Sequence, residues 1–383
     1  MMFMTMPWLT IKLTGSATMA GLVIAVQAVP GLILSPVMGS LIDRLGRRRV
    51  AIWGEAVTVL TTIAYPIVDG FSPLSLTSLL VIGVIRALFA GGGMTARKSL
   101  LPDVAREAKM SLDRANSLHE ALAAAGFATG PAIASILIAA SGPMTALWVA
   151  GLFVGLSAIF ALMIRVHEHV EDDSAEREGQ SFVVYAMQGF KILGKLPAVL
   201  IIFVMVISLA LLYLPSEMVL LPKYYESIDD PSTLGFLISI MAASTTVGAL
   251  LFERFTKYLS YANILRVTAL GVGLAMLPMS QLPPTWAMIA CGMVLGFVWG
   301  PLPPLLNTVI QKKVPPSMRG RVFSVEMTIW NAAPMISMVF AGAAADTWGV
   351  KPVYTVIALL VLAAAIVSSL QPALKDLNEV ERG

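Results

Sequence analysis

Two ionisable side chains stand inside long apolar stretches, and their types suggest ion or proton chemistry rather than the making of bonds. Arg86 lies ten residues into Leu76–Ala96, and Glu217 lies between Pro215 and Pro222. A charged group inside a membrane span is a functional hypothesis by default. A guanidinium keeps its proton, so Arg86 would bias a nearby carboxylate or hold an anionic substrate. A carboxylate such as Glu217 can load and unload a proton.

Each of these side chains also has a plainer interpretation. Arg86 can be a structural arginine that backbone carbonyls bind, and Glu217 can be a solvated acid at the mouth of the protein. Glu55 is expected to pair with a local cation. Glu120 and Glu326 lie near basic loops, which favours salt bridges of a gate over proton carriers.

The other reactive residue types indicate no catalytic set. The three histidines, His119, His167 and His169, form neither a Ser-His-Asp arrangement nor a convincing metal site. Cys291 is the only cysteine, so no disulfide can form within the chain. A membrane enzyme such as an acyltransferase would need a water-accessible catalytic set, and none is visible. We therefore predict no enzyme, no cofactor and no metal.

The elements that carry these residues are predicted to be membrane helices. The chain has 383 residues, 57% of them hydrophobic and only 13% charged, and its mean hydropathy is +0.82. A soluble protein has about 25% charged residues. The net charge of +3 gives no reason to expect nucleic acid as a partner. Eleven apolar stretches are long enough to cross a bilayer: Ala20–Val37, Val50–Val68, Leu76–Ala96, Ala115–Ala140, Met144–Ile164, Pro197–Leu221, Leu234–Phe252, Ile264–Met279, Trp286–Ile310, Val322–Ala345 and Pro352–Leu370.

A shorter apolar segment, Met1–Leu13, precedes these spans. At 1.5 Å per residue it reaches about 20 Å, which is too short to cross. It has neither the basic start nor the cleavage site of a signal peptide. We expect the second half of a first helix on the periplasmic side, either because the start codon is placed too late or because the half-helix is natural.

Lysine and arginine predict the orientation of the chain. Of the 26 basic residues, 22 fall in one set of alternating loops and helix ends, and only Lys12, Lys223 and Lys351 fall in the other. We call these the arginine-rich side and the arginine-poor side. By the positive-inside rule the arginine-rich side, with the C-terminus, is predicted to be cytoplasmic.

A polar stretch at 166–196 divides the chain into residues 1–165 and 197–383. It begins with an acidic linker and continues with a segment that suits a helix on the membrane surface. The halves are weakly alike: Gly39-Ser40-Leu41 matches Gly248-Ala249-Leu250, and Gly130-Pro131 matches Ala333-Pro334. Parallel repeats of this kind are typical of secondary transporters.

One loop carries a specific resemblance. The segment Gly39–Arg49 reads GSLIDRLGRRR, with Gly39, Asp43, Arg44, Gly46 and Arg47 at the spacing of the loop signature of the major facilitator superfamily. The resemblance implies an all-α membrane protein of two pseudo-symmetric six-helix bundles, here with helix 1 truncated. A generic basic loop explains the arginines but not the two glycines and the aspartate together.

Further motifs resemble the macrolide-efflux and enterobactin-exporter-like branch of this superfamily. Gly126, Gly130 and Pro131 are similar to the helix-5 motif of its efflux members, although Ala134-Ser135 stands where a pair of glycines is usual. The resemblance implies that Arg86 and Glu217 face the central cavity and couple substrate to protons. Other plausible cavity contacts are Gln27, Tyr213, Trp299, Trp330 and Asn331.

The loop signature also predicts a gate. A helix N-terminus carries about half a positive charge, which stabilises a carboxylate placed there. We expect Asp43 to dock on the start of the helix at Arg321-Val322, and Arg47 to pair with Asp103. Alternatively, Asp43 merely neutralises its basic neighbours.

The function predicted from these features is export of a small amphiphilic molecule, drug-like or siderophore-like, by alternating access and with proton coupling. A non-transporting sensor or assembly factor on the same scaffold and a lysolipid translocator remain alternatives. The expected partners are the small-molecule substrate, protons and the lipid bilayer. The protein is expected to be a monomer that crosses the inner (plasma) membrane many times.

Overall fold

The computed structural model describes residues 1–110, 112–164, 197–314 and 316–372, with residues 374 and 377. Some side chains within the helices, among them those of residues 32–45 and 323–329, lie outside this description, as does the whole of the predicted linker at 166–196. The described chain is helical and contains no strand. The prediction of an all-α protein is therefore confirmed for the described residues.

Six helices precede the linker, and tight glycine turns join several of them. Gly15, Gly46 and Gly142 each have a positive φ, of 68°, 88° and 85°. Glycine adopts this conformation without steric cost, so each reverses the chain in one or two residues. The six helices are α1 (Met2–Thr14), α2 (Ala17–Leu45), α3 (Arg47–Phe71), α4 (Leu76–Glu107), α5 (Leu112–Ser141) and α6 (Pro143–Met163).

The chain after the linker forms nine helices and one π-helical turn in its described part. Gly349, with φ of 85°, makes the turn between the last two helices. The helices are α7 (Pro197–Pro215), α8 (Leu221–Ser227), α9 (Pro231–Leu250), α10 (Phe252–Phe255), α11 (Tyr261–Ser280), α12 (Thr285–Trp299), α13 (Leu302–Lys313), α14 (Pro316–Trp348) and α15 (Val350–Ser369), and the π-helical turn is Ser216–Leu220.

Seven segments of the described chain are long and apolar enough to cross a membrane. Two predicted spans are interrupted rather than continuous. Pro197–Leu221 is broken after Pro215, and Trp286–Ile310 is broken at Gly300-Pro301. The proline at the second break cannot donate the hydrogen bond that would continue the helix. The seven segments are Arg47–Phe71, Leu122–Ser141, Pro143–Met163, Pro231–Leu250, Tyr261–Ser280, Thr285–Ile310 and Val350–Ser369.

Helix packing repeats in the two halves of the chain. In the first half α3 packs on α4 and α6, and in the second half α11 packs on α12 and α15. The same capping contact recurs: Arg48 Nε donates to the Ile164 carbonyl over 2.6 Å, and Arg266 Nε donates to the Ser369 carbonyl over 3.3 Å. Each arginine thus stabilises the carbonyl end of a neighbouring helix. Between the halves, α2 packs on α14 and α5 packs on α9.

Candidate functional site

The helix that carries Glu217 is interrupted at that residue. α7 ends at Pro215, the π-helical turn follows, and α8 begins at Leu221. Pro222 lacks the N–H that would bond to the carbonyl one turn earlier. Within the turn, the N–H of Leu221 bonds instead to the carbonyl five residues before it. Single π-helical turns of this kind occur frequently at functional sites.

The carboxylate of Glu217 is bound by one tyrosine. Tyr213 Oη donates to Glu217 Oε2 over 2.8 Å, one helical turn away. Tyr213 is buried, and Glu217 is half-buried. Among the described residues, no lysine or arginine forms an ion pair with Glu217. Within the part of the chain that the structure describes, this carboxylate is therefore compensated by one hydrogen bond and by no counter-ion.

Three aromatic side chains form a series that begins at the tyrosine bound to this carboxylate. The rings of Tyr213 and Trp299 are 4.9 Å apart between centroids, with planes inclined by 37°. Trp299 and Trp330 are 5.9 Å apart and inclined by 55°. These residues come from α7, from the end of α12 and from the middle of α14. The structure thus brings three of the five predicted cavity residues together, whereas the side chain of Asn331 lies outside the described residues.

The turn that carries Glu217 lies between the two halves of the chain. It packs against α1 and α2 from the first half, and against α14 and α15 from the second. A change in the relative position of the halves would alter the surroundings of Glu217. In secondary transporters of repeated bundles, substrate and coupling-ion sites lie at the interface between the repeats.

Arg86 is one of several buried hydrogen-bond donors that have no partner among the described residues. Within the described chain, Arg86 Nε, Tyr65 Oη and Gln27 Nε2 are buried without a hydrogen-bond partner. Gln27 lies against Gly83, one turn before Arg86, where a Cβ added to the glycine would come within 2.1 Å of the amide nitrogen. In this part of the chain no backbone carbonyl binds Arg86 Nε, and no ion pair joins Arg86 to Glu217. Arg86 and Gln27 thus offer donors to an acceptor that the described residues do not supply.

The arginine-rich side carries the loop that resembles the family signature. Gly46 begins α3 with φ of 88°. Arg47 Nη1 lies 3.5 Å from Asp103 Oδ2, and Arg106 Nη1 lies 3.6 Å from Asp103 Oδ1. Asp103 is buried, with 4% of its side chain exposed. These contacts tie the start of α3 to the end of α4.

Nearby, Glu55 forms an ion pair with Arg97. The structure does not describe the side chains of Asp43, Arg44, Glu120 and Glu326. Of Gly39 it describes only that the residue belongs to α2. The docking of Asp43 therefore stays a prediction.

The helix-5 motif lies at a close crossing of α5 and α9. Because Pro131 interrupts the hydrogen-bonding of α5, Ser239 reaches across from α9 and accepts the N–H of Ala132 over 3.0 Å. A Cβ on Gly235 would come within 2.6 Å of the Pro131 carbonyl and 2.2 Å of Ser135 Cβ. Ser135 itself stands where the family usually has glycine, and Gly235 supplies the missing space from the opposite helix. In contrast, Gly126 faces open space.

On the arginine-poor side, one aspartate that the sequence analysis missed joins the two halves of the chain. Asp346, in the last turn of α14, faces the first turn of α2. Its Oδ1 accepts the N–H of Ala17 over 2.8 Å, and its Oδ2 accepts the N–H of Thr18 over 2.9 Å. Its Oδ2 also accepts the hydroxyls of Ser16 and Thr18 over 2.6 and 2.7 Å. The carboxylate therefore caps the N-terminus of a helix in the other half of the chain.

Asp346 follows the predicted span that ends at Ala345. Burial raises the pKa of its carboxyl, but the hydrogen bonds from Ser16, Thr18 and Ala17 lower it by more, so this pKa lies below its usual value. A Ser-x-Thr pattern at the start of α2 signals a helix cap. No local sequence pattern predicts that the capping group lies 330 residues away.

Close backbone contacts accompany this cap. A Cβ on Gly342 would lie 2.4 Å from the Ala17 carbonyl, and a Cβ on Gly21 would lie 2.5 Å from the Met338 carbonyl. Lys223 of α8 donates to the carbonyl of Gly15 at the end of α1. The two halves therefore touch at this side without room for a side chain between them.

Comparison with known proteins agrees with this architecture. The chain is 29% identical to the multidrug efflux pump Tap of Mycolicibacterium fortuitum, covering 97% of this chain and 91% of the pump. It is 30% identical to the multidrug efflux pump Tap of Mycobacterium tuberculosis, covering 97% and 89%. It is also 20% identical to macrolide efflux protein A of Streptococcus pyogenes, covering 96% and 90%.

Solved structures share the fold at lower identity. The nucleoside transporter NupG superposes with a TM-score of 0.75 at 14% identity, covering 96% of this chain and 93% of that one. A bacterial homologue of the iron transporter ferroportin, in its inward-facing state, gives 0.69 at 18% identity and covers 96% and 94%. The family model for the Major Facilitator Superfamily matches residues 1–336 and 218–379. The chain belongs to the Major Facilitator Superfamily of membrane transporters.

Proposed function

We propose that this protein exports a small amphiphilic molecule by alternating access, with export driven by protons that enter through Glu217. Its relatives Tap and macrolide efflux protein A are named for multidrug and macrolide efflux, which supports the direction of transport. Residues 1–165 and 197–383 act as two bundles that rock against each other, with the C-terminus in the cytoplasm of a plasma-membrane monomer.

The observation that carries the proposal is the place of Glu217. It is a half-buried carboxylate at a helix break, with no protein counter-ion among the described residues and with helices of both halves packed on its turn. An uncompensated charge in such surroundings is costly, so a proton or a cationic group stabilises the site. When the halves move, the free-energy cost of the charged carboxylate changes. This change couples the binding of a proton to the side of the membrane on which the cavity is open.

Arg86, in the first half of the chain, carries the charge opposite to that of the Glu217 carboxylate. Its unpartnered Nε, with Gln27 and Tyr65, suits an acceptor group on the transported molecule. Because Arg86 remains charged, its field also lowers the cost of ionising an acid that approaches it. Arg86 thereby tunes proton occupancy without carrying the proton.

The proposal is tested with protein reconstituted in liposomes under an imposed proton gradient. A panel of drug-like and siderophore-like compounds is assayed for gradient-driven uptake into inverted vesicles. We expect at least one compound to accumulate, and we expect Glu217→Gln to abolish accumulation while leaving facilitated exchange of that compound.

The matched control is Glu226→Gln in α8, which removes a carboxylate nine residues away and should leave transport unchanged. Accumulation in the Glu217→Gln variant with the parent's pH dependence would remove Glu217 from the mechanism. An absence of transport for the whole panel, in protein that binds these compounds, would favour a sensor over a transporter.

A further inference from the structure

Three hydrogen-bond donors in the first half of the chain come from helices that pack together. Gln27 belongs to α2, Tyr65 to α3 and Arg86 to α4, and α4 packs on both of the other helices. Each of the three side chains has a buried N–H or O–H group without a partner among the described residues. Buried polar groups are almost always paired in folded proteins. Three exceptions on neighbouring helices indicate a place for a ligand.

The three donors lie at similar depth along their helices. α2 and α4 both begin on the arginine-poor side, and Gln27 and Arg86 each stand ten residues after the first residue of their helix. α3 ends on the same side, and Tyr65 stands six residues before its last residue. At 1.5 Å per residue these depths are about 15 Å, 15 Å and 9 Å. The group therefore lies near the middle of a hydrocarbon core roughly 30 Å thick.

Contacts between the helices bring the three side chains close to one another. The amide of Gln27 lies against Gly83, one turn before Arg86, where an added Cβ would come within 2.1 Å of the amide nitrogen. Tyr65 and Arg86 lie within electrostatic range of each other. Tyr65 is 0% exposed, whereas Gln27 and Arg86 are half-buried. The group is thus closed to solvent at Tyr65 and partly open at the other two residues.

We propose that Arg86, Gln27 and Tyr65 form a binding site for a compact monovalent anion such as chloride, in which the guanidinium is the counter-ion and the amide and the phenol donate further hydrogen bonds. The inference deepens the role proposed above for Arg86, because it names the ligand of the site. That ligand is either a free inorganic anion or the acidic end group of a transported molecule.

The charge of Arg86 is what calls for an anion. A guanidinium keeps its proton, so deprotonation cannot relieve the cost of burying it. Among the described residues no acid forms an ion pair with Arg86. Three acids of α3 and α4 have other partners: Glu55 pairs with Arg97, Asp103 pairs with Arg47, and Asp69 accepts the N–H of Leu74.

The surroundings favour a small ion with a single charge. Arg97, the next arginine along α4, lies eleven residues beyond Arg86, which is about 16 Å along the helix. A divalent anion would therefore bring a second charge into the membrane span without a second cation to compensate it. The side chains that cluster with Tyr65 are apolar and buried, and they leave room for little more than one small group: Met6, Leu9, Leu79 and Leu147.

The test is the anion dependence of purified full-length protein in detergent. Sodium chloride replaces sodium gluconate stepwise at constant ionic strength, since gluconate carries a long polar chain that apolar surroundings exclude. A ligand that binds only the folded protein raises its stability with the logarithm of the ligand concentration above the Kd. We expect chloride and bromide to raise the Tm in this way, and sulfate and gluconate not to do so. Excess broadening of the chloride NMR signal, which measures bound ion, gives the Kd.

Three variants locate the bound anion. Arg86→Gln should abolish both the chloride dependence of the Tm and the broadening. In gluconate the same variant should be at least as stable as the parent, because it removes an uncompensated buried charge. An arginine with a purely structural role would give lower stability in both salts and an unchanged effect of chloride. Tyr65→Phe and Gln27→Leu keep the charge and each remove one donor, so each should raise the Kd about tenfold.

The matched controls are Arg254→Gln and Tyr258→Phe, which change an exposed arginine and an exposed tyrosine in the second half of the chain. Both should keep the chloride Kd of the parent. A chloride effect of parental size in Arg86→Gln, or an equal rise of the Tm with all four sodium salts, would overturn the proposal. If Arg86→Gln does not fold, an unchanged Kd in both Tyr65→Phe and Gln27→Leu would overturn it as well.

Competition distinguishes the two sources of the anionic group. Carboxylate-bearing compounds of the transport panel are added during the chloride titration. A raised apparent Kd of chloride would show that the acidic end of a transported molecule enters the site, and an unchanged Kd would assign the site to inorganic anions alone. Either result retains the site.

These measurements need no proton gradient, so they are separate from the transport assay. Chloride binding that depends on Arg86, in protein that transports none of the panel, would retain the site and refute the exporter. Proton-coupled export by protein whose stability and NMR signal show no chloride binding would do the reverse.

Discussion

Gly235 faces Ser135 across the two halves of the chain so closely that an added Cβ would lie 2.2 Å from the Ser135 Cβ. The Pro131 carbonyl, 2.6 Å from the same position, cannot move aside because it belongs to the backbone of α5. The absence of a side chain at Gly235 is therefore a condition for closure of the arginine-poor side.

The first prediction follows from this contact. Gly235→Ala should destabilise the closed arrangement by about 1–3 kcal/mol, the usual cost of overpacking. Opening is measured in a Cys291→Ser background through Met338→Cys, because Met338 is buried, with 2% exposed, where α14 meets α2. We expect faster labelling by a membrane-impermeant maleimide added on the arginine-poor side. Gly155→Ala, where a Cβ meets nothing within 4 Å, should label at the parent rate.

The second prediction concerns the cap that Asp346 places on α2. Asp346→Asn keeps the shape but removes the charge that two backbone N–H groups and two hydroxyls bind. Hydrogen bonds to a charged group contribute about 1.5–3 kcal/mol, so the loss of charge should shift the equilibrium toward opening by about tenfold. Labelling at Met338→Cys should accelerate accordingly.

Asp230 offers a matched control for this substitution. Its Oδ1 caps α9 by accepting the N–H of Thr233 over 3.0 Å, within one half of the chain. Asp230→Asn should lower thermal stability slightly and leave the labelling rate unchanged. If both variants label alike, the cap of Asp346 serves local stability and not access.

The third prediction is that pH does not operate this contact under physiological conditions. Because the pKa of Asp346 is lowered in the closed form, its contribution is complete above the ordinary aspartate value of about 4 and is lost only as the pH falls through the lowered pKa. In Glu217→Gln protein, labelling at Met338→Cys should therefore be constant from pH 5 to 8. A pH dependence in the parent that this variant lacks would belong to Glu217.

Much of this arrangement could be predicted from the sequence. The apolar stretches, the basic loops and the loop signature led to the fold, because a bilayer requires long apolar helices and retains arginine on one side. Glu217, Tyr213, Trp299 and Trp330 were all predicted as separate cavity residues. Pro215 and Pro222 foreshadow the break in α7, whereas the contacts of Tyr213 with Trp299 and of Trp299 with Trp330 join helices that are distant in sequence.

The contacts between the halves could not be predicted in the same way. The cap by Asp346 and the bond from the Ala132 N–H to Ser239 depend on which faces of α2, α14, α5 and α9 meet. No local periodicity determines that choice. Ser135 illustrates the point, since its departure from the family glycine makes sense only once Gly235 is seen opposite it.

The fourth prediction separates a structural contact from a gate. Arg48 and Arg266 cap neighbouring helices within their own halves. Arg48→Ala and Arg266→Ala should each reduce thermal stability by about 1–2 kcal/mol without changing labelling at Met338→Cys. Arg49→Ala, which removes an exposed arginine from the same loop, should change neither quantity. Altered labelling in both capping variants would mean that these ends move during transport.

The last prediction joins the two sides of the protein. If Asp43 docks on the start of α14 when the arginine-rich side is closed, Asp43→Asn should favour the state in which the arginine-poor side is closed, and labelling at Met338→Cys should slow. Asp346→Asn acts in the opposite direction from the other end of α2, about 40 Å away along a helix of 29 residues. Substitutions so far apart add independently. The double variant should therefore return toward the parent rate, as two caps of similar strength on opposite sides would balance each other. A double variant that labels as fast as Asp346→Asn alone would mean that Asp43 only neutralises its basic neighbours, and that the closed state depends on the arginine-poor side alone.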